Sequence, residues 1–191
     1  DALARLLEFV GFHITKEYYV NDGGAQIGVL VRTVYYRYLQ KLGEDIDLPD
    51  DSYPGDYLLP LAENLIDNFG KKLKDLEEYE RDKIIRELSV EYMMKKIKSD
   101  LKSLNIEMDN FFSEQTMINS NVIETSINNL KDKGLIYTGT IEAPKGKTYA
   151  DWQAREQLLF KSTEFGDDID RPIKKSDGSW TYFAPDMAYH A

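Results

Sequence analysis

A phenol and a carboxylate stand four residues apart near the end of the sequence, at Tyr182 and Asp186. Side chains at positions i and i+4 lie on one face where the local backbone is helical. A carboxylate supplies negative charge and a phenol a directed hydrogen bond, and together they suit a cationic amine or guanidinium. The pair therefore predicts a site for a positively charged ligand. A purely structural role beside a turn is the alternative.

A second acid, Glu114, follows the short apolar run from Met108 to Phe112. Such a run is typical of a buried strand, and ligands of α/β proteins collect at the carboxyl ends of strands. The sequence leaves two interpretations open. Glu114 contacts a ligand, or it is an acid at a helix N-terminus that the helix dipole stabilises.

A third polar group surrounds the glycine pair Gly23–Gly24, with Asn21 and Asp22 before it and Gln26 after it. A chain that turns from strand to helix through glycine presents backbone N–H groups to polar or anionic ligands. Asn and Asp before glycine are also common turn residues. The residue types alone leave both roles open for Asn21 and Asp22, and they place Gln26 on the first turn of the following helix.

The sequence predicts no metal ligands. It has two histidines and no cysteine, so a zinc site built by the protein is not expected. The acids Asp167, Asp168 and Asp170 are of a type that binds Mg²⁺. Because Arg171 and Lys174 stand beside them, the sequence favours a solvated cluster of ion pairs instead.

Three segments resemble the catalytic domain of bacterial arginyl-tRNA synthetases, which are class I aminoacyl-tRNA synthetases. They are EYYVNDGGAQ at residues 17–26, KSTEFGDD at 161–168 and KSDGSWTYFAPD at 175–186. The resemblance covers nearly the whole chain. It implies an α/β fold, as part of a Rossmann-like class I synthetase catalytic domain with a helix-rich insertion.

The resemblance also implies a function for the predicted site. Glu114, Tyr182 and Asp186 would contact the guanidinium of the substrate arginine, and Gln26 would add a contact. Asn21 and Asp22 would form the pocket wall. The implied reaction activates L-arginine with ATP and transfers it to tRNA(Arg), in a cytoplasmic and monomeric enzyme with no membrane segment. ATP and Mg²⁺ would serve the full-length enzyme, with neither bound by protein ligands of this piece.

No catalytic residue is assigned to the chain. The family handles ATP with a His-x-Gly-His element and a later Lys-rich loop, and neither occurs in the 191 residues. We expect the first just upstream of Asp1 and the second beyond Ala191. The piece is therefore expected to supply much of the arginine pocket and to be inactive alone.

Periodicity predicts the elements that must position these residues. We expect helices over 2–10, 25–42, 57–69, 76–104 and 120–133, with another from Ala184 onward. Strands are expected over 12–20, 108–112, 135–138, 158–160 and 180–183, and a loop over 143–147. The predicted segments are a catalytic α/β segment 1–43, a helical segment 44–104, and a second catalytic α/β segment 105–191 with an irregular, strand-rich insertion.

Composition limits the classes of function. The formal charge of −10 makes the chain a poor generic nucleic-acid binder, since such binding depends on Lys and Arg. No apolar run approaches the ~20 residues of a membrane span. The first residues have an amphipathic pattern without a basic n-region, so we expect no signal peptide and a chain that continues from something longer. The absence of cysteine fits a reducing compartment.

Two other functions are compatible with parts of the sequence. A non-catalytic binding or regulatory module derived from a synthetase fold would lose the pocket acids, yet Glu114, Tyr182 and Asp186 are all present. A carboxylate hydrolase such as a glycosidase needs two acids roughly 5 to 10 Å apart. Sequence spacing does not exclude that geometry, but only the abundance of acids supports it.

Overall fold

The chain folds into two compact units, Asp1–Phe112 and Ser113–Ala191. The computed structural model describes residues 1–140, 156–175 and 177–191, so the predicted loop 143–147 lies outside the described residues. The fold is mixed α/β, as predicted. Among the described residues, no helix combines the length and the apolar character that a membrane span needs. The division into segments 1–43, 44–104 and 105–191 stays a prediction.

Helices and short strands are interspersed along the chain. In chain order they are α1 (Ala2–Phe9), β1 (Glu17–Val20), α2 (Ala25–Lys41), α3 (Leu59–Phe69), α4 (Glu78–Ser103), β2 (Asn110–Ser113), α5 (Glu114–Asn119), α6 (Val122–Asp132), β3 (Ile136–Gly139), β4 (Gln157–Phe160), β5 (Arg171–Pro172) and α7 (Phe183–Tyr189). Short 3₁₀ turns lie at Asp56–Leu58, Lys72–Lys74 and Ser162–Phe165.

The core of the first unit lies among α2, α3 and α4. Apolar residues recur on one face of each helix, which is the pattern of a helix packed on one side. The cluster contains Leu30, Val31, Val34, Tyr38, Leu58, Leu61, Ala62, Leu65, Leu73 and Ile85. Within it the hydroxyl of Tyr38 donates a hydrogen bond to the carbonyl of Gly70 (2.7 Å), and burial raises the pKa of this phenol.

β1 and β2 form a two-stranded sheet in the first unit. The backbone N–H of Lys16 donates to the Asp109 carboxylate (2.7 Å), and that of Asp109 donates to the Lys16 carbonyl (2.8 Å). Tyr18 contacts Phe111, and the next residue, Tyr19, contacts Phe112. Partner residues thus follow the same chain direction on both strands, as in a parallel pair. The predicted strand 12–20 is too long at its start, since β1 begins only at Glu17, directly after the Lys16–Asp109 contact.

The second unit is built on the antiparallel sheet β3-β4-β5. Ile136 pairs with Phe160, and Phe160 pairs on its other side with Arg171. Helix α6 packs against α7 and β3. Among the described residues, its apolar core includes Met117, Ile123, Ile127, Ile136, Leu159, Ile173, Ala184 and Ala188.

One prediction in the second unit is wrong, and another is two residues too long at its start. The predicted strand 180–183 is only an isolated bridge between Trp180 and Lys174, and Phe183 already belongs to α7. Pro185 falls in the first turn of α7, where no backbone N–H is needed, so it is compatible with a helix. The predicted helix 120–133 begins at Val122, and a separate helix, α5, precedes it. Asn121 lies between the two helices and has a left-handed φ of 58°, so the helical backbone is broken there.

Candidate functional site

Tyr182 and Asp186 lie one helical turn apart at the start of α7. Tyr182 immediately precedes the helix, and its carbonyl accepts a hydrogen bond from the Asp186 N–H (3.4 Å). Both side chains are exposed, that of Tyr182 to 72%. The opposite face of α7 is buried through Ala184 and Ala188. The phenol and the carboxylate therefore share the helical spacing that the sequence predicted, while their role as ligand contacts stays a prediction.

The residues around Tyr182 fix the start of α7 on the sheet. The N–H of Thr181 donates to the carbonyl of Ile173 (2.9 Å), and its hydroxyl donates to the carbonyl of Pro172 (2.7 Å). The ring of Phe183 contacts that of Phe160 on β4, with centroids 5.7 Å apart. Tyr182 is thus held between two anchored neighbours, although its own side chain is open to solvent.

An ion-pair cluster close to Tyr182 joins the loop after β4 to Arg171, the first residue of β5. The guanidinium of Arg171 donates to both oxygens of Asp167 (2.6 and 2.5 Å) and to Asp168 (3.2 Å). The hydrogen bond to Arg171 holds the pKa of Asp167 well below its usual range. The pKa of Arg171 is raised, chiefly by Asp167 and in smaller part by the nearby Tyr182. The predicted ion pairing of Asp167 and Asp168 with Arg171 is confirmed.

The other two residues of the predicted cluster have different partners. Asp170 accepts hydrogen bonds from Thr163 and Tyr137, and Lys174 lies over the ring of Trp180 at 4.2 Å. Across residues 1–140, 156–175 and 177–191, no group of three or more His, Cys, Asp or Glu side chains is arranged to hold a metal ion.

Glu114 is the first residue of α5 and follows directly on β2. The residue is 6% exposed, which is unusual for glutamate because burial of a charge is costly without compensation. Helix α5 packs against α7, the helix that carries Asp186. The position fits both interpretations from the sequence, since Glu114 is at a helix N-terminus and also close to the helix of the other predicted acid.

Asn21, Asp22 and Gln26 surround the turn between β1 and α2. Gly24 is the residue before α2, and Gln26 lies exposed in the first helical turn. A Cβ on Gly24 would lie 2.9 Å from the side-chain oxygens of both Asn21 and Gln26. With φ of −78°, the backbone of Gly24 suits any residue, so the glycine is explained by the close approach of these two amides. They converge over Gly24, which gives the turn two adjacent hydrogen-bonding groups.

The long helix α4 borders the same turn. The guanidinium of Arg86 donates to the carbonyl oxygen of Asp22 (3.2 Å). Below the turn, β1, α2 and α4 line an open, mostly apolar cavity of about 220 Å³. Its lining consists of Asn21 and Asp22 with Tyr18, Tyr19, Val20, Ile27, Leu30, Val90, Met93, Met94 and Ile97. No sequence pattern pointed to Arg86, which is 64 residues from Asp22 in a helix crowded with charges.

The predicted site residues thus form two groups, one in each unit. Glu114 and Asp186 lie on the packed helices α5 and α7 of the second unit, and Tyr182 immediately precedes α7. Asn21, Asp22 and Gln26 belong to the turn before α2 in the first unit.

Comparison with known proteins gives one family for the whole chain. The family model described as tRNA synthetases class I (R), catalytic domain, matches residues 1–191. The arginine–tRNA ligase of Roseobacter denitrificans is 55% identical over 190 residues, which are 100% of this chain and 33% of that protein. The arginine–tRNA ligase of Rickettsia bellii is 51% identical over 189 residues, again covering 33% of the relative and 99% of this chain. The chain spans about a third of the length of the curated relatives it matches.

Solved structures agree with this assignment. A structure described as an arginyl-tRNA synthetase from Campylobacter jejuni superposes with a TM-score of 0.77 at 28% identity, covering 98% of this chain and 38% of that one. The arginyl-tRNA synthetase of Plasmodium falciparum gives a TM-score of 0.58 at 19% identity over 100% of this chain and 29% of that one, which shows the fold alone. With the family model covering every residue, the chain belongs to the class I arginyl-tRNA synthetase family and corresponds to part of its catalytic domain.

Proposed function

We propose that this chain is part of an arginine–tRNA ligase and supplies side chains that select L-arginine. The observation that carries the proposal is the exposed pair on α7, a carboxylate and a phenol one helical turn apart. Arginine presents a planar, permanently charged fork of N–H donors, which a carboxylate accepts in a two-point hydrogen bond. Asp186 would accept this two-point hydrogen bond, and the Tyr182 hydroxyl oxygen would accept a further one from the guanidinium.

The remaining predicted residues would complete the arginine site. Glu114 would add a second carboxylate near the guanidinium, which disfavours neutral and shorter side chains. Gln26 would contact the amino acid, and Asn21 with Asp22 would form the pocket wall. These assignments are supported by the burial of Glu114 on a helix packed against α7 and by the convergence of the Asn21 and Gln26 amides.

The reaction of the full-length enzyme would take place in two steps. The arginine carboxylate attacks the α-phosphorus of ATP, which gives arginyl adenylate and releases pyrophosphate. A ribose hydroxyl at the 3′ end of tRNA(Arg) then attacks the acyl carbon, and AMP leaves. Positioning and neutralisation of developing charge dominate catalysis of this kind. This chain would bind and orient arginine.

ATP and Mg²⁺ are proposed for the full-length enzyme only. In the part of the chain that the structure describes, no side-chain group fits a metal ion, so no step is assigned to a metal held by these residues. We further propose a monomeric enzyme in the cytoplasm. The family likeness and the absence of cysteine support this proposal.

Asp186→Asn in the full-length enzyme tests the arginine contact. Loss of a charge-assisted hydrogen bond costs about 1.5–3 kcal/mol, so we expect KM for arginine to rise roughly 10- to 100-fold. KM for ATP should stay nearly unchanged. Initial rates of tRNA charging, measured with each substrate varied in turn, separate the two constants. Asp132→Asn, at the exposed end of α6, is the matched control and should leave both constants unchanged.

Equal increases in KM for arginine and for ATP would show that Asp186 does not contact arginine. Competition by lysine and citrulline adds a second criterion, because citrulline lacks the charge and lysine lacks the planar fork. If the full-length protein binds arginine but charges no tRNA, a non-catalytic binding or regulatory module becomes the better description.

A further inference from the structure

We propose that Arg86 on α4 is a positioning residue for the turn that carries Asn21, Asp22 and Gln26. The helical segment would thereby control the geometry of the pocket wall through one guanidinium. The consequence for arginine affinity rests on the proposed function, whereas the effect on the turn itself does not.

The peptide units of Asp22 are held at two points. The N–H of Asp22 donates to the carbonyl of Val20 at the end of β1 (2.9 Å). The carbonyl of Asp22 accepts from the guanidinium of Arg86 (3.2 Å). A hydrogen bond from a charged donor is about twice as strong as a neutral one. The turn is therefore tied on one side to the strand and on the other to α4.

Arg86 can hold the turn in place because α4, the helix that carries it, is packed against the core. Its neighbour in sequence, Ile85, is fully buried in the core of the first unit, and so is Ser89. Helix α4 packs along α2, the helix that begins just after the turn. A half-buried arginine on such a helix holds its guanidinium with little further loss of conformational freedom.

The side chains that depend on this anchor are the two amides over Gly24. Asn21 precedes the Asp22 peptide that Arg86 holds, and its side-chain oxygen approaches Gly24 together with that of Gln26. Release of the Asp22 carbonyl would let the peptide rotate, and Asn21 would move away from Gln26. Arg86 would thus act on the ligand through the turn and not by direct contact.

The test uses Arg86→Met and Arg86→Lys in the full-length enzyme. Methionine keeps the apolar stem and removes the donor, whereas lysine keeps a charged donor. We expect Arg86→Met to raise KM for arginine roughly tenfold, with kcat and KM for ATP within about twofold of wild type. Arg86→Lys should recover most of the loss.

Arg81→Met is the matched control on the same helix. Arg81 lies over the ring of Tyr35 at 4.0 Å and pairs with Asp82, so its loss also disturbs α4. This variant should lower the melting temperature without a change in KM for arginine. Amide hydrogen exchange of a peptide spanning residues 20–27 gives a second readout, which should be faster in Arg86→Met and unchanged in Arg81→Met.

Each outcome decides the proposal. If Arg86→Met only loses thermal stability, with KM for arginine and exchange at 20–27 unchanged, Arg86 is structural and the inference is overturned. Equal increases in KM for arginine and ATP would overturn it as well. If the wild-type enzyme charges no tRNA with arginine, the proposed function fails, and hydrogen exchange alone then decides whether Arg86 holds the turn.

Discussion

Asp170 shows how a single carboxylate holds the loop between β4 and β5. One of its oxygens accepts from the N–H and the hydroxyl of Thr163 (3.0 and 2.7 Å), and the other accepts from the Tyr137 hydroxyl (2.7 Å). The hydrogen bond from Thr163, and to a smaller extent the one from Tyr137, holds the pKa of Asp170 below its usual range. The contact with Asp170 correspondingly raises the pKa of Tyr137.

Asp170→Asn should therefore weaken the dependence of stability on acid pH. A carboxyl whose pKa is lower in the folded state contributes stability that is complete above its unfolded pKa of about 3.9 and is lost as pH falls through the folded value. We expect a melting temperature about 2–4 °C below wild type at pH 7, for loss of roughly 1 kcal/mol of hydrogen bonding. The difference should shrink as the pH is lowered below about 4.

Thermal unfolding followed by circular dichroism between neutral and acid pH measures this difference. Asp132→Asn serves as the control, since Asp132 lies exposed at the end of α6, and it should keep the wild-type pH dependence. A constant gap between Asp170→Asn and wild type at every pH would contradict the linkage.

Single residues were predictable where their partners are close in sequence. Asp167 and Arg171 are four positions apart, and their opposite charges sufficed to predict the ion pair. The helical spacing of Tyr182 and Asp186 was predictable for the same reason. Arg86 was not, because its partner is a backbone carbonyl 64 residues away, and the carbonyl of Asp22 has no signature in a side-chain pattern.

At the scale of elements, helix α3 should contribute strongly to the stability of the first unit, because it packs against α2 in the core. Leu65 is fully buried in the cluster that joins α2, α3 and α4. Leu65→Ala removes apolar contacts and leaves a cavity, which costs about 2–5 kcal/mol. Urea unfolding of the 191-residue chain, followed by circular dichroism, would show the loss as a lower midpoint with little change in slope.

Leu104→Ala is the control for the same loss of side-chain volume. Leu104 follows α4 and is 69% exposed, so its truncation should change the free energy of unfolding by less than about 0.5 kcal/mol. Similar losses from both substitutions would show that Leu65 does not lie in a packed core.

Elements were predicted best where a periodic pattern is long. The helices α2 and α4 lie within two residues of their predicted ends, because each has apolar residues repeated over several turns. Residues 180–183 were wrongly predicted as a strand, since an aromatic-rich run favours a strand locally but requires a paired neighbour. Only Trp180 has such a neighbour, and Phe183 is used instead to pack α7 on Phe160.

At the scale of the whole molecule, the contacts that build the candidate site join distant parts of the sequence. Lys16 meets Asp109 across 93 positions to start the β1–β2 pair, with the helices of the segment 44–104 between them. A single sequence shows that Lys16 and Asp109 are present, but it does not show that they lie close together in the fold. The α/β fold class could be inferred from the family resemblance, whereas the pairing of β1 with β2 came from the structure.

The 191-residue chain by itself should not charge tRNA. It spans about a third of the length of its arginine–tRNA ligase relatives and contains no His-x-Gly-His element. Its formal charge of −10 also opposes retention of a polyanionic tRNA, because each phosphate contact depends on a Lys or Arg. Under the proposed function, the binding energy for ATP and tRNA would come from other parts of the full-length protein. Incorporation of labelled arginine into tRNA should stay at background with the isolated chain and rise with the full-length enzyme at equal concentration, and charging by the isolated chain would place the ATP chemistry within these residues.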